Sequence, residues 1–267
     1  MKQVKSTAIS VFALALAFMW LAPLVWLVGT AFSEPTFHMT FFPNSRFTFG
    51  NLSYVWNAIP FARYYLNTLI LVVVTFCVQF VTSTLAAYAL AVMDFKGRTL
   101  VFAVIFMQII IPNDVLITPN FMTLADMGLT DTKVGIMLPF FGSALAIFLL
   151  RQHFKSIPKA LAEAARIDGA NAFQIYWRIF MPIMKPQLIL VGVLNMITVW
   201  NDYLGPLIFL QDRSKFTLAL GLASFKGVHS TKIIPMLCIT VIMILPPIIV
   251  FLFAQKHIVE GTSGAIK

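Results

Sequence analysis

Apolar and polar residues are segregated along this chain into six long apolar runs joined by shorter polar segments. The runs cover approximately residues 8–32, 64–93, 99–119, 134–151, 186–206 and 233–255. Each reaches the roughly 17–25 mostly apolar residues that a helix needs to cross a bilayer. The first follows Lys2 and Lys5, as a secretory leader would. Its apolar stretch exceeds the roughly 7–15 residues of such a leader, so the expectation is a retained helix. Pro112 and Asp114 fall late in the third run, Pro139 in the fourth, and Pro246 and Pro247 in the sixth. Prolines are tolerated inside membrane helices, where neighbouring helices satisfy the freed backbone groups. The pattern predicts an all-α membrane protein: six transmembrane helices in a single domain over residues 1–267, with both termini on one side.

Composition supports this and removes other classes. Sixty per cent of the 267 residues are hydrophobic and 11% are charged, against about 25% charged in an average soluble domain. The net charge of +9 comes from residues scattered between the apolar runs. Cytoplasmic loops facing anionic lipid account for it, and no nucleic-acid partner is expected. With the N-terminus inside, twelve of the nineteen Lys and Arg residues fall in inner segments and seven in outer ones. The positive-inside rule therefore places both termini in the cytoplasm. Arg213, Lys215, Lys226 and Lys232, between the last two runs, land outside and run against the trend. Cys77 and Cys238 both sit in apolar runs without metal-like spacing and read as inert thiols.

The inner segment over residues 151–185 carries the main signal. Pro158 suits the opening of a helix, where its missing N–H has no partner to lose. Lys159 to Ile167 is strongly helix-forming, and Asp168-Gly169 ends it, glycine being free to turn left-handed. Asn171 can cap a second short helix on which Phe173, Tyr176, Trp177 and Phe180 recur at helical spacing, and Pro182 closes it. The alanines keep the first helix slim, so another surface can approach its backbone. Glu163 and Arg166 offer an orientable charged contact. Two readings fit: a helix that docks into a soluble partner, or an amphipathic helix lying on lipid.

One resemblance separates them. Glu163-Ala164-Ala165, three residues, Gly169, nine residues, Ile179, one residue and Met181-Pro182 resembles the EAA loop (E-A-A-x3-G-x9-I-x-L-P) of ABC-importer permeases. The departure is Met181 for leucine, a nearly volume-conserving change. The string through Ala170, Trp200-Asn201-Asp202-Tyr203, and the tail Val259 to Lys267 are similar to the carbohydrate-uptake, maltose-type (MalG-like) branch. The resemblance implies a transport subunit of a bacterial cytoplasmic (inner) membrane importer, with the EAA loop between spans four and five. It implies that Glu163, Ala164, Ala165, Arg166, Asp168 and Gly169 couple it to an ATPase. The implied partners are a second homologous permease, two copies of a cytoplasmic ATPase, and an extracytoplasmic solute-binding protein. In the maltose type the larger permease holds the sugar, so no sugar-binding residue is assigned here.

No G-x-x-x-x-G-K-[ST] phosphate loop occurs in the chain. The expectation is therefore a non-catalytic subunit that binds no cofactor, with ATP and magnesium used by the partner ATPase. Asn201 and Asp202 are candidate pathway-lining residues, since polar groups at membrane depth often line a route. Gln79 and Gln108 read first as interhelical hydrogen-bonding groups. Asp114 reads as facing outer water, and the histidines at 38, 153, 229 and 257 form no metal-like cluster. The alternative function is a secondary transporter working without an ATPase. It would need ionisable residues at mid-membrane and paired broken helices, and the span interiors here lack charges, Asp114, Arg151 and Asp202 falling toward the ends of their runs. An intramembrane hydrolase would rest on Ser143, for which no His lies within a span.

Overall fold

A computed structural model describes residues 2–34, 46–225 and 233–263, which are helical or joined by short turns. His38, Lys226, His229, Lys232 and the tail residues 264–267 lie outside the described residues. The chain divides into two compact units, Met1–Arg63 with Gly221–Pro246, and Tyr64–Leu220 with Pro247–Lys267.

In the first unit, helix α1 (Lys2–Ala31) is apolar all round, with Phe18 and Trp20 about three-quarters exposed. A helix without a polar face is suited to hydrocarbon. Beyond it, Ser33 bridges Phe47, and the rings of Phe32, Phe47 and Phe49 pack with centroids 5.0–5.7 Å apart. Buried Asn51, on α2 (Gly50–Ala58), donates to the carbonyls of Ala31 at 2.9 Å and Ser33 at 2.8 Å, fastening the end of α1.

The second unit is built along α3 (Phe61–Val92), of which residues from Tyr64 onward belong to it. After Gly97, at φ 85°, come α4 (Arg98–Ile110) and α5 (Asn113–Asp126). The third apolar run is therefore two helices, bent by 107°. Pro112 cannot donate into α4, and it forces Ile111 out of the helical region to ψ 119°.

The fourth run is also divided. Thr132 caps α6 (Lys133–Met137), a 3-10 turn follows over Leu138–Phe140, and Ser143 caps α7 (Ala144–Ser156). α7 continues past residue 151, so the first residues assigned to the inner loop continue the helix of the fourth run. α8 (Lys159–Ile167), α9 (Ala172–Gln174) and α10 (Met181–Ile183) then lead to α11 (Lys185–Trp200). The helical stretch Ala172–Ile183 meets α11 at 79°.

α11 stops at Trp200, short of the expected residue 206, because Asn201 and Asp202 leave the helix before α12 (Leu204–Phe209). The short α13 (Leu218–Ala223) precedes α14 (Ile233–Ser263), which outruns its apolar stretch at the C-terminal end. Among the described residues, four helical stretches are long and apolar enough to cross a membrane, Lys133–Ser156 counting as one of them, or up to six if each bent pair is one span. α4 and α11 both pack on α7. Gly192 of α11 lies so near Phe76 of α3 that a Cβ there would come within 2.9 Å of its ring.

Candidate functional site

Two features of the second unit carry chemistry: the segment around α8, and a cavity among α3, α4, α5, α7, α11 and α12. α8 ends in a Schellman closure. The N–H of Ala170 reaches the carbonyl of Ala165 at 2.9 Å and that of Gly169 reaches Arg166 at 3.1 Å. Gly169 sits at φ 83°, in the left-handed region that glycine occupies freely. Asn171 and Gln174 form a reciprocal capping box, each side chain taking the other's backbone N–H at 2.9 Å.

Residues Ile175–Phe180 then follow a π-helical course, which brings Ile175, Tyr176 and Phe180 all into the core. No 3.6-residue periodicity signals such a turn. Only part of the aromatic spacing seen in the sequence is therefore one face, since Phe173 and Trp177 stay exposed.

The segment is tied to the spans. The ring of Tyr88, on α3, lies 5.1–5.8 Å from those of Phe154, Tyr176 and Phe180. Tyr176 and Thr84 share a hydroxyl–hydroxyl bond of 2.8 Å, and the Tyr88 hydroxyl donates to the Ala172 carbonyl at 3.3 Å. Arg151, 7% exposed, donates through Nε to the Leu90 carbonyl at 3.1 Å. Its guanidinium lies 3.7 Å over the Phe102 ring, a partnership of flat cation and π-face.

The alanines of α8 divide. Ala162 and Ala165 are buried against this core, while Ala160 and Ala164 face outward. The slimness of the helix thus serves packing on its own spans as well as the outer face. That outer face carries Glu163, Arg166, Asp168 and Gly169, all exposed, beside Leu161 and Ile167, the latter 87% exposed. The ion pairs among the described residues involve none of these charges.

The cavity has a volume of about 680 Å³. Asn201 and Asp202 both line it, though neither side chain is idle. Asn201 donates to the Ile197 carbonyl at 2.9 Å, and Asp202 accepts the Gly205 N–H at 3.2 Å. Asp114 lines the same cavity from the first turn of α5. Gln79 and Gln108 line it too, and Gln79 accepts from Asn195 of α11, the interhelical role expected for it. Asn195 has no counterpart in the sequence reading, because an isolated Asn in an apolar run gives no sign of which helix it faces. Ser143 also borders the cavity, with its oxygen accepting the Ala146 N–H at 3.2 Å as a helix cap.

In the turn between α5 and α6, Asp131 holds a left-handed conformation at φ 53°. One of its carboxylate oxygens accepts the backbone N–H groups of Gln211 and Asp212, both at 3.0 Å, and the other pairs with Lys215 at 2.7 Å. The bond from Lys215 and then these two N–H groups lower the Asp131 pKa to about 2.

Comparison with known proteins places these features in context. Residues 79–263 match the family described as binding-protein-dependent transport system inner membrane component. The arabinooligosaccharides transport system permease protein AraQ of Bacillus subtilis (strain 168) is 34% identical over 222 residues, 82% of this chain and 79% of that protein. The sn-glycerol-3-phosphate transport system permease protein UgpE of Yersinia pestis is 33% identical over 237 residues, 86% of this chain and 84% of that protein. Among solved structures, a chain of a bacterial ABC transporter involved in the import of the acidic polysaccharide alginate superposes with a TM-score of 0.84 at 26% identity. That alignment covers 96% of this chain and 97% of that one.

Proposed function

Because this chain belongs to the family of binding-protein-dependent transport system inner membrane components, we propose that it forms half of the pathway of an ATP-driven importer for a sugar or oligosaccharide. It is a non-catalytic permease subunit; ATP hydrolysis belongs to a separate partner. In this reading it crosses the bacterial inner membrane six times, each bent helix pair counting as one span, with both termini cytoplasmic. A second, homologous permease completes the pathway, two ATPase copies sit beneath, and a solute-binding protein delivers the cargo from outside. The sugar assignment draws support from the arabinooligosaccharide permease among the relatives.

The decisive feature is the α8 segment. Its outer face is exposed and charged, with no ion pair among the described residues, and its inner side is locked to α3 through Tyr176 and Tyr88, while Arg151 of α7 ties α7 to the same helix. A helix free on one side and fixed on the other can receive a push and pass it on. Glu163, Ala164, Arg166, Asp168 and Gly169 present that surface to the ATPase, while Ala165 closes it from behind. Asn201 and Asp202 belong to the pathway wall.

The test is reconstitution. The chain alone in liposomes should hydrolyse no ATP and move no sugar. The complex with the second permease and ATPase should hydrolyse ATP, faster when loaded binding protein is added outside. Uptake by the chain alone, driven by an ion gradient, would refute the assignment.

A further inference from the structure

The cavity among α3, α4, α5, α7, α11 and α12 has an uneven chemistry. Among the described residues its lining contains two carboxylates, Asp114 and Asp202, and no Lys, Arg or His. The chain as a whole carries +9, so the absence of cations is local to this surface. At its wall lies a buried amide pair. Gln79 and Asn195 are each 6% exposed, and the Asn195 amide nitrogen donates to the Gln79 side-chain oxygen. That leaves the Asn195 side-chain oxygen without a hydrogen-bond partner. An unmet buried acceptor costs about 1–3 kcal/mol; the Asn195 oxygen is itself covered, so a ligand hydroxyl would supply the missing donor once this side chain turns toward the cavity that Asn195 lines.

We propose that this subunit itself binds the transported molecule, at the Gln79–Asn195 pair, and that the site takes an uncharged, hydroxyl-rich carbohydrate and disfavours an anionic one. The inference rests on the importer reading above. Carboxamides both donate and accept, which matches a sugar hydroxyl in either role. Phe140, Tyr203 and Phe209 add ring surface to the wall. An anion would be desolvated beside two carboxylates with no counter-charge from this chain, an arrangement with a large penalty and no return. The volume lies in the roughly 300–1,000 Å³ range of small-molecule sites. The maltose-type resemblance assigns the sugar to the larger permease; the geometry here gives this chain a share.

The experiment uses the assembled complex in nanodiscs, with exposed Cys77 replaced by serine and Thr198, which lines the cavity, replaced by cysteine. Maleimide labelling of Thr198→Cys is timed with arabinotriose, lactose or raffinose, and separately with sn-glycerol 3-phosphate at equal concentration. At least one neutral sugar should slow labelling about tenfold, and the phosphate less than twofold. Adding Asn195→Leu should raise the half-protecting sugar concentration about fivefold, the effect of one neutral hydrogen bond. Equal protection by the phosphate, or protection by no neutral sugar, overturns the proposal. The Thr198→Cys measurement stands even if the Asn195 variant fails to assemble. A complex that hydrolyses ATP on demand yet fails these tests sinks only the sugar site. A complex unresponsive to any binding protein sinks the importer reading.

Discussion

Replacing Gly169 with valine isolates the conformational demand of the α8 segment from its steric one. Gly169 has φ 83°, and a Cβ built there meets nothing within 4 Å. No clash accompanies the change, so any effect comes from the backbone. A non-glycine residue in the left-handed region costs about 1–2 kcal/mol, and a β-branched one belongs at the upper end. About 2 kcal/mol corresponds to a roughly 30-fold shift away from the native turn. The Schellman bonds from Gly169 and Ala170 go with it, and they set the direction in which α8 leaves. Asparagine tolerates the same region, so Gly169→Asn should keep most activity. The assay measures membrane abundance, ATPase co-purification and sugar uptake on one preparation. Gly169→Val should insert normally but lose ATPase association or uptake by an order of magnitude relative to Gly169→Asn. Equal behaviour of the two variants, or a fall in abundance matching the fall in uptake, would refute the reasoning.

Three further outcomes follow from the same structure. Lys159→Cys in a Cys77→Ser background should label from inside-out vesicles and resist labelling from outside intact cells; outside labelling reverses the orientation. Arg151→Lys should destabilise the purified complex by about 2 kcal/mol, because an ammonium cannot both lie flat on Phe102 and reach the Leu90 carbonyl. Thermal aggregation midpoints against exposed Arg178→Lys test this, and equal midpoints remove Arg151 from the core's support. The Asp131 carboxyl, held down to about 2 from 3.8, ties the 211–215 loop fully above the ordinary value and lets go as pH falls through the lowered one. Carboxyl-carbon NMR should show that midpoint, moving up toward 3.8 in Lys215→Met; an unmoved midpoint excludes the Lys215 bond as its cause.

The helices of this fold were legible because apolar runs of spanning length leave few alternatives in a chain with 11% charged residues. The left-handed turn at Gly169 and the cap at Asn171 were legible for a different reason: both are local, set by residues within one turn of each other. Breaks within the runs were harder to read. Pro112 bends the chain by 107° while Pro23 lies inside a continuous α1, so a proline marks a place where a helix can break but not whether it does. The π-turn left no trace in the periodicity. Long-range partners were invisible in principle. Gln79 and Asn195 are 116 residues apart, and Asp131 meets Lys215 across 84. The outward reading of the alanines also needed correction, because a small side chain permits close approach on any face and composition does not say which.

α3 joins the two halves of the site. Gln79 lies at the cavity wall, while Thr84, Tyr88 and Leu90, further along the same helix, hold the α8 segment and α7. Gln79 and Tyr88 are nine residues apart, about 14 Å of helix at 1.5 Å per residue. A displacement of α8 has two mechanical outcomes. It breaks the Tyr176–Thr84 bond and unpacks the aromatic cluster around Tyr88, or it carries α3 with it. Interiors are dense and resist continuous deformation, and Tyr88, Phe154, Tyr176 and Phe180 are all at least 94% buried. Unpacking four such rings costs several kcal/mol, whereas moving a helix as a body leaves its bonds intact. The second outcome is therefore favoured. The Gln79–Asn195 pair bridges α3 and α11, so a moving α3 must carry or break that contact, and the wall on which a sugar would rest is one that motion at the α8 end can open.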